Sequence, residues 1–245
     1  VLTAPQWGFY EVLFSHTNKD LALKPEGQRA FKLSQPYGTY VMENVLFKIS
    51  FPAEFHAQTA CEAAVTLHPQ VRDRLHEIEK IVITTHESAI RIISKQGPLA
   101  NAADRDHCLQ YMTAVPLAFG NLVAEQYEDD FHAAHPIIDE LREKMVIVED
   151  PRYTREYLEA DKRSIANAIQ VFFNDGTSTQ QVVVEYPIGH RRRRAEGIAL
   201  LEDKFKANLA TRFAGQRCEE IFALCKDQAA LEATPVNRFV DLLVI

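Results

Sequence analysis

Two apolar runs on either side of a short polar tip constrain the fold of this chain most strongly. Residues 168–173 (AIQVFF) and residues 181–186 (QVVVEY) flank the tip at residues 174–177 (NDGT). β-branched and aromatic residues favour strands, while Asn, Asp and Gly favour tight turns. The pattern therefore predicts a β-hairpin in the second half of the chain.

Helical and strand patterns alternate around this hairpin. A strand is predicted at residues 78–85 (IEKIVITT), because this run is rich in β-branched residues and bounded by polar ones. Helices are predicted at residues 51–68, which have a proline in the first turn, at residues 104–120, which end on a glycine, and near residues 137–144. Beyond residue 187, apolar residues spaced four apart predict further helices. The mixture indicates an α+β fold.

Composition divides the chain into three segments. Residues 1–44 contain three prolines and several glycines, which interrupt any long helix, so we expect the end of a helical domain and an irregular linker there. Residues 45–190 are expected to form an α+β domain, and residues 191–245 a helical segment that packs on the helical domain. Because the chain opens without methionine, we expect most of that helical domain to lie outside it.

Charge and motif content argue against several classes of function. The formal net charge is −7, from 27 basic and 34 acidic residues, which argues against general nucleic-acid binding. No apolar run is long enough to cross a membrane and no signal-peptide pattern is present, so we expect a cytoplasmic protein, or one of the mitochondrial matrix in a eukaryote. The chain has no Walker loop, GxGxxG or HExxH motif, and its four cysteines lack metal-site spacing. We therefore expect no metal and no cofactor.

A lysine and two histidines near the ends of predicted elements are candidates for chemistry. Lys48 lies just ahead of the helix predicted from residue 51, whose N-terminus would favour a carboxylate, and His56 lies one turn into that helix. His86 directly follows the predicted strand, and residues at strand ends commonly face clefts. Each has a plain alternative, namely a surface lysine, a packing histidine and an exposed loop histidine.

Two further groups could bind a carboxylate-rich ligand. His107 and Tyr111 stand four residues apart on one face of the helix predicted at residues 104–120, and they could serve acid–base chemistry or a buried hydrogen bond. The run HRRRR at residues 190–194 is the most concentrated positive charge in the chain. Arginine binds carboxylates and phosphates bidentately, although a solvated helix start is the alternative here.

Several long motifs resemble those of the MmgE/PrpD family. They extend over almost the whole chain, namely YVMENVLFKISFPAEFHAQT at residues 40–59, THES at residues 85–88, DRDHCLQYM at residues 104–112, YPIGHR at residues 186–191 and PVN at residues 235–237. Motifs of this length are specific. The resemblance implies a large helical domain plus an α+β lid domain, which residues 45–190 would form, with the N-terminal helical half outside this chain.

The resemblance also implies a reaction. Members of the family remove water from 2-methylcitrate to give 2-methyl-cis-aconitate in the methylcitrate cycle of propionate catabolism, without a metal cluster. An aconitase-like side activity on citrate or cis-aconitate would fit. The expected partners are a tricarboxylate substrate and the helical half, with no nucleic acid and no membrane, and a homodimer is left open. We expect this chain alone to be inactive.

Site residues follow from the matching motifs. The family's lysine at the junction of its two domains matches Lys48, which is expected to contact a substrate carboxylate. The candidates on the lid side lie in the same motifs as their family counterparts. We expect catalysis from Lys48, His56, His86 and His107, and substrate binding by Gln58, Tyr111, His190, Arg191 and Arg193.

Three other functions stay open. A cis-aconitate decarboxylase resembles the family in fold and substrate class, but in that relative a tyrosine falls near the position of Ile90, where this chain has no hydroxyl. A non-catalytic lid or oligomerisation module is the second. Nucleic-acid binding through residues 191–194 is the third, and it predicts a steep loss of affinity with salt.

Overall fold

Helices packed on a small mixed β-sheet make up residues 45–245, the part of the chain that the computed structural model describes. The strands are β1 (Ile78–Thr85), β2 (Met145–Glu149), β3 (Asn167–Phe173) and β4 (Val182–Val184). The helices are α1 (Gln58–Val71), α2 (Glu87–Ile93), α3 (Ala102–Arg105), α4 (Leu109–Phe119), α5 (Asp129–Ala134), α6 (Ile137–Glu143), α7 (Pro151–Leu158), α8 (Arg194–Ala210), α9 (Gly215–Lys226), α10 (Gln228–Ala233) and α11 (Val236–Leu242). The fold is α+β. The segment expected at residues 1–44 lies outside the described residues, and the three-segment division stays a prediction.

The sheet has the order β2-β1-β3-β4. β3 and β4 pair antiparallel, with Ala168 opposite Val183, so the predicted hairpin is confirmed. β1 coincides with the strand predicted at residues 78–85, and it pairs antiparallel with β3 and parallel with β2. β1 is therefore an inner strand, and its carboxyl end lies between two neighbouring strands.

The helix predicted at residues 51–68 is wrong at both ends. A 3₁₀ turn at Phe55–Ala57 precedes α1, and α1 continues through Pro69 to Val71. Pro69 is tolerated because it lies in the last turn, where its missing N–H removes a single helical hydrogen bond. Burial of Leu67 and Val71 holds this last turn against the core.

The helix predicted at residues 104–120 is broken in two. Cys108, between α3 and α4, has the extended dihedral angles φ −121° and ψ 108°. The side chain of Asn101 caps α3 by accepting a hydrogen bond from the backbone N of Asp104 at 2.9 Å. Gly120 ends α4 in a left-handed conformation, which confirms the predicted glycine stop.

The main hydrophobic core lies between α1, α4 and the sheet. Small residues on α1 are fully buried, which lets this helix approach its neighbours closely. Each large apolar side chain that is removed from water contributes about 1.5–3 kcal/mol. The core includes Ala60, Ala63, Ala64, Leu67, Ile81, Ile83, Leu109, Met112, Leu117, Ile138, Ile169 and Val171.

A buried arginine joins α3 to the segment that follows α4. Arg105 is only 2% exposed, and its Nε donates to the carbonyl oxygen of Tyr127 at 2.6 Å. Its guanidinium also donates to Asp129, at the start of α5. His132 Nε2 lies 3.0 Å from an oxygen of Asp139 on α6. These contacts explain in structural terms why an arginine stands inside the DRDH motif.

The helical tail predicted after residue 187 is confirmed by α8–α11. Leu209 of α8 and Ile221 and Phe222 of α9 form a second, smaller buried cluster. No helix of residues 45–245 has both the length and the apolar character needed to cross a bilayer.

Gly189 allows the beginning of the described chain to approach the segment that leads into α8. The backbone N of Phe47 donates to the Gly189 carbonyl oxygen at 3.3 Å, and Gly189 has a φ of +102°. A Cβ atom on residue 189 would lie 2.1 Å from the Phe47 carbonyl oxygen. Glycine is therefore required at this position of the YPIGHR motif.

We expect Gly189→Ala to lower the free energy of unfolding by more than about 2 kcal/mol, because backbone strain and a clash with Phe47 add together. Gly176→Ala is the matched control. Gly176 has a φ of +81° but no atom within 4 Å of an added Cβ, so we expect only the strain of about 1 kcal/mol. Urea unfolding followed by circular dichroism measures both, and equal losses would contradict the role of the clash.

Candidate active site

Two histidines and a tyrosine from three distant parts of the chain meet at the carboxyl end of β1. The ring centroids of His56 and His86 are 5.2 Å apart, and the Tyr157 ring lies 4.7 Å from that of His86 and 5.5 Å from that of His56. His86 directly follows β1, His56 lies in the 3₁₀ turn before α1, and Tyr157 lies in the last turn of α7. The fold thus brings together two of the residues expected to be catalytic.

Buried side-chain hydrogen bonds tie the turn that carries His56 to the sheet. Asn167, the first residue of β3, is fully buried and donates from Nδ2 to the His56 carbonyl oxygen and to Thr59 Oγ1, each at 2.8 Å. The Thr59 hydroxyl donates in turn to the carbonyl oxygen of Ile165 at 2.5 Å. The position of His56 is therefore set by β3 as well as by the start of α1.

Two hydrogen bonds hold α7 against the end of β1. The backbone N of Asp150, just before α7, donates to the Thr85 carbonyl oxygen at 2.9 Å. The backbone N of Glu87 donates to Thr154 Oγ1 on α7, also at 2.9 Å. These bonds are formed by the two sequence neighbours of His86, Thr85 and Glu87. They hold α7, and with it Tyr157, beside His86.

Glu54 is the acidic partner of His56. Its carboxylate accepts a hydrogen bond from the His56 backbone N at 2.8 Å and lies 2.8 Å from the ring atom Nδ1. An ionised carboxylate can only accept, so Nδ1 carries the ring proton and Nε2 keeps a lone pair. The Tyr157 hydroxyl lies 3.2 Å from Nε2 and donates to it. His56 therefore presents a basic atom whose orientation is set by a carboxylate.

The pKa of the Glu54 carboxyl group is lowered although the group is partly buried. Burial acts to raise this pKa, but the hydrogen bond and the charge of His56 outweigh it, together with the backbone hydrogen bond. The charge of His107 makes a further, smaller contribution that lowers the pKa of Glu54. Glu54 is thus an anion at neutral pH.

His86 is fully buried, and its imidazole ring forms no hydrogen bond with the described residues. Its exposed fraction is 0%, and neither ring nitrogen has a hydrogen-bond partner among the described residues. Burial, followed by the charge of His56, lowers the pKa of His86 to about 4, against the opposing effect of Glu54. His86 is therefore a neutral imidazole at pH 7. An anion beside it would favour its protonation.

Gln58 and Lys48 lie around the loop that precedes the 3₁₀ turn. Gln58, which is buried, donates from Nε2 to the carbonyl oxygens of Phe51 at 2.9 Å and Ala53 at 2.7 Å, and so fixes this loop. The Lys48 ammonium is exposed and lies 4.8 Å from the centroid of the Phe55 ring. Lys48 does not lie ahead of a helix N-terminus, because α1 begins ten residues later, at residue 58.

The structure separates His107 from Tyr111. His107 is exposed in the turn between α3 and α4, with Nδ1 2.5 Å from an oxygen of Asp106. Tyr111 is fully buried in α4, donates its hydroxyl to the Gln126 carbonyl oxygen at 2.6 Å, and has a pKa raised to about 12 by burial. The prediction that this pair shares one helical face is wrong, because the backbone at Cys108 is not helical.

His190 and the first arginine of the basic run contact protein groups. His190 is 6% exposed, its ring lies 4.6 Å from that of Tyr186, and its Nδ1 accepts a hydrogen bond from the backbone N of Arg192 at 3.2 Å. Burial, followed by the charges of the neighbouring arginines, lowers the pKa of His190 to about 4. Arg191 donates to the Asp161 carbonyl oxygen at 2.8 Å.

Arg193 links the start of α8 to α1. It pairs with Glu62 of α1 at 2.8 Å, with Glu196 one turn along α8, and with the Tyr186 carbonyl oxygen at 2.7 Å. These contacts use its donors within the protein. Substrate binding by Tyr111, by Gln58 and by the basic run stays a prediction, and the structure gives each of them a structural contact as well.

Glu54 and Tyr157 are site residues that the sequence analysis did not single out. Glu54 stands two residues before His56 in the motif FPAEFH, and that short spacing could have suggested an acid–imidazole pair. Tyr157 is 101 residues away from its hydrogen-bond partner His56, and no local pattern connects them.

Comparison with known proteins identifies the family of the chain. A family model described as the MmgE/PrpD C-terminal domain matches residues 51–228. The chain is 54% identical over 247 residues to the 2-methylcitrate dehydratase of Escherichia coli (strain K12), 55% identical over 248 residues to that of Cupriavidus necator, and 49% identical over 247 residues to the mitochondrial 2-methylcitrate dehydratase of Yarrowia lipolytica. Each match covers 100% of this chain but only 48%, 49% and 45% of the respective relative. The chain thus spans about half the length of the curated relatives it matches.

We expect the free energy of unfolding to fall as the pH drops from about 6.5 to about 4. His86 and His190 have pKa values lowered to about 4 in the folded chain, whereas an unfolded histidine titrates near pH 6.5. Between these values the unfolded chain binds protons that the folded chain does not, which favours unfolding. The stabilisation is complete above about pH 6.5 and is lost as the pH falls to about 4. Urea unfolding at several pH values across this range measures the free energy of unfolding.

The variant His86→Leu should flatten this pH dependence, since it removes one of the two titrating groups. His76→Leu is the control, because the His76 side chain is 82% exposed. An unchanged pH dependence in His86→Leu would show that the buried imidazole does not couple protonation to folding.

Proposed function

Because the chain belongs to the MmgE/PrpD family, we propose that it is the C-terminal part of a 2-methylcitrate dehydratase, a hydro-lyase. The enzyme would convert 2-methylcitrate to 2-methyl-cis-aconitate in propionate catabolism. The observation that carries this proposal is the pairing of the Glu54–His56 couple with the desolvated His86, at a centroid distance of 5.2 Å. Identity to proteins named 2-methylcitrate dehydratase supports it.

The reaction requires a base and an acid on neighbouring carbons. A proton leaves the carbon next to a carboxylate, and a tertiary hydroxyl leaves the adjacent carbon. That proton is weakly acidic, so a positioned base and cationic stabilisation of the developing charge are both needed. Two imidazoles in contact, only one of which has a carboxylate partner, can take these two roles.

His56 is the proposed base. Glu54 keeps the proton on Nδ1, so the lone pair of Nε2 can accept the substrate proton, and the carboxylate then stabilises the imidazolium. Asn167 and Glu54 fix the turn from two sides, which limits the loss of orientation on binding. General-base catalysis of this kind contributes about 10²–10⁴-fold in rate.

His86 is the proposed acid, and Lys48 and His107 are the proposed carboxylate contacts. A triply charged substrate brings negative charge beside His86, which raises its pKa from about 4 and lets it deliver a proton to the departing hydroxyl. Lys48 and His107 are exposed, so an ammonium and an imidazole are free of burial and can meet substrate carboxylates in this proposal. We propose that no metal takes part, since these side chains supply the acid.

The complete enzyme requires a partner segment in this proposal. We infer that an N-terminal helical half closes the site and that this chain alone does not turn over substrate. Activity on citrate or cis-aconitate and assembly as a homodimer belong to the same proposal. The Yarrowia relative is named mitochondrial, so we propose the matrix as the location in a eukaryote and the cytoplasm in a bacterium.

A chimera tests the function. We expect this chain, joined to the N-terminal half of the Escherichia coli relative, to form 2-methyl-cis-aconitate from 2-methylcitrate, because it is 54% identical to the corresponding part of that relative. The isolated chain is expected to give no product. Product formation is followed by liquid chromatography, with cis-aconitate as a second substrate.

Each outcome of this assay separates one hypothesis from the others. Itaconate from cis-aconitate would favour the decarboxylase. A chimera that folds and binds 2-methylcitrate without product would favour the non-catalytic module. Turnover by the isolated chain would contradict the need for a helical half.

In the chimera we expect Glu54→Gln to lower kcat by about 100-fold and to change KM little, because the base loses its orienting charge while carboxylate contacts remain. Glu79→Gln is the matched control, since Glu79 is an exposed residue of β1. Steady-state kinetics on both variants measures kcat and KM. Equal kcat values would remove Glu54 from the mechanism.

A further inference from the structure

Tyr157 holds both histidines of the site at once. Its hydroxyl donates to His56 Nε2 at 3.2 Å, and its ring is stacked on the His86 ring at 4.7 Å, with an angle of 13° between the planes. The hydroxyl thereby occupies the atom to which the proposed function assigns the substrate proton. Tyr157 must leave that atom before the substrate can reach it.

The ring of Tyr157 also covers an imidazole that is otherwise unsatisfied. Both ring nitrogens of His86 are buried and lack a hydrogen-bond partner among residues 45–245. Burying unpaired polar atoms destabilises a fold by about 1–3 kcal/mol each. A group that is buried at this expense yet placed beside an acid–base couple is typical of a functional site.

The position of Tyr157 in α7 allows it to move while the helix stays in place. The first half of α7 is anchored by Thr154, which accepts from the backbone N of Glu87 at 2.9 Å. Tyr157 is half-buried in the last turn, one residue before the helix ends at Leu158. A change of its side-chain rotamer would therefore move its ring off the His86 ring while Thr154 still anchors α7.

We propose that Tyr157 is a positioning residue that controls access to His86: its hydroxyl, anchored on His56, keeps its ring over His86, and a ligand that takes over His56 Nε2 releases the ring. The identity of that ligand as a hydroxy-tricarboxylate rests on the proposed function. The tertiary hydroxyl of such a ligand can donate to Nε2 in place of the phenol. The uncovered imidazole then meets a carboxylate, which forms a charge-assisted hydrogen bond with it.

The test measures the accessibility of His86 in the full chain, without any turnover assay. Diethyl pyrocarbonate acylates accessible neutral imidazoles, and mass spectrometry of peptides gives the rate at each histidine. We expect slow modification of His86 in the parent chain, a rate several-fold higher in Tyr157→Phe, and a rate at least about 10-fold higher in Tyr157→Ala. The intermediate rate of Tyr157→Phe is expected because its ring remains while the anchor to His56 is lost.

Tyr186→Ala is the matched control. Tyr186 lies 4.6 Å from the His190 ring, so its removal should expose His190 and leave His86 slow. A second measurement is the pKa of His86 from imidazole NMR, which should rise from about 4 toward 6.5 in Tyr157→Ala.

Two results would overturn the proposal. If Tyr157→Phe reacts as slowly as the parent chain, the ring covers His86 by packing alone and the hydroxyl does not hold it. If Tyr186→Ala accelerates His86 as much as Tyr157→Ala does, the effect is general loosening of the fold. Because no substrate is used, a failed chimera assay would not change the modification rates of His86. Equally, a failed modification test would not contradict the proposed dehydratase function.

Discussion

The buried amide of Asn167 is the contact on which the candidate site depends. Its side chain bonds the His56 carbonyl oxygen and the Thr59 hydroxyl, and these belong to the turn and first residues of α1. The turn has two further links to the rest of the fold, namely the hydrogen bond between His56 and Tyr157 and the burial of Ala57. Because Asn167 begins β3, which pairs with β1, the end of β1 and the turn are held in one frame. Two histidines that are 30 residues apart in sequence therefore keep a fixed distance in space.

Electrostatics divides the two histidines of this frame into different roles. Glu54 is an anion in contact with His56, so it holds the ring proton on Nδ1 and fixes the tautomer of that ring. His86 lacks such a hydrogen-bonded partner among the described residues and is desolvated, so its neutral form is favoured. Neighbouring imidazoles with different environments are the arrangement that acid–base chemistry requires, since one must accept a proton while the other donates one.

Local patterns predicted some of this structure and missed the parts that depend on distant contacts. β1 and the hairpin were predictable because β-branched runs and a turn tip encode them locally, and His86 followed from the end of β1. β2 and α7 were not assigned from sequence, since a parallel pair and a short polar helix depend on tertiary partners. The break at Cys108 was missed because its neighbours favour a helix, and it separates His107 from Tyr111. Tyr157 could not be identified from local sequence patterns, because its contacts with His56 and His86 exist only in the folded chain.

Two buried histidines of the chain, His86 and His190, differ in how their ring nitrogens are satisfied. His86 and His190 are both buried, both lie against a tyrosine ring, and both have a pKa lowered to about 4. His190, however, accepts a hydrogen bond from the backbone N of Arg192 at 3.2 Å, so its burial completes a local turn. The ring nitrogens of His86 have no such partner in the described part of the chain, although a leucine there would leave no unpaired atoms. Burial and a shifted pKa are thus common to both histidines, and the unpaired ring nitrogens distinguish His86, for which we propose a ligand.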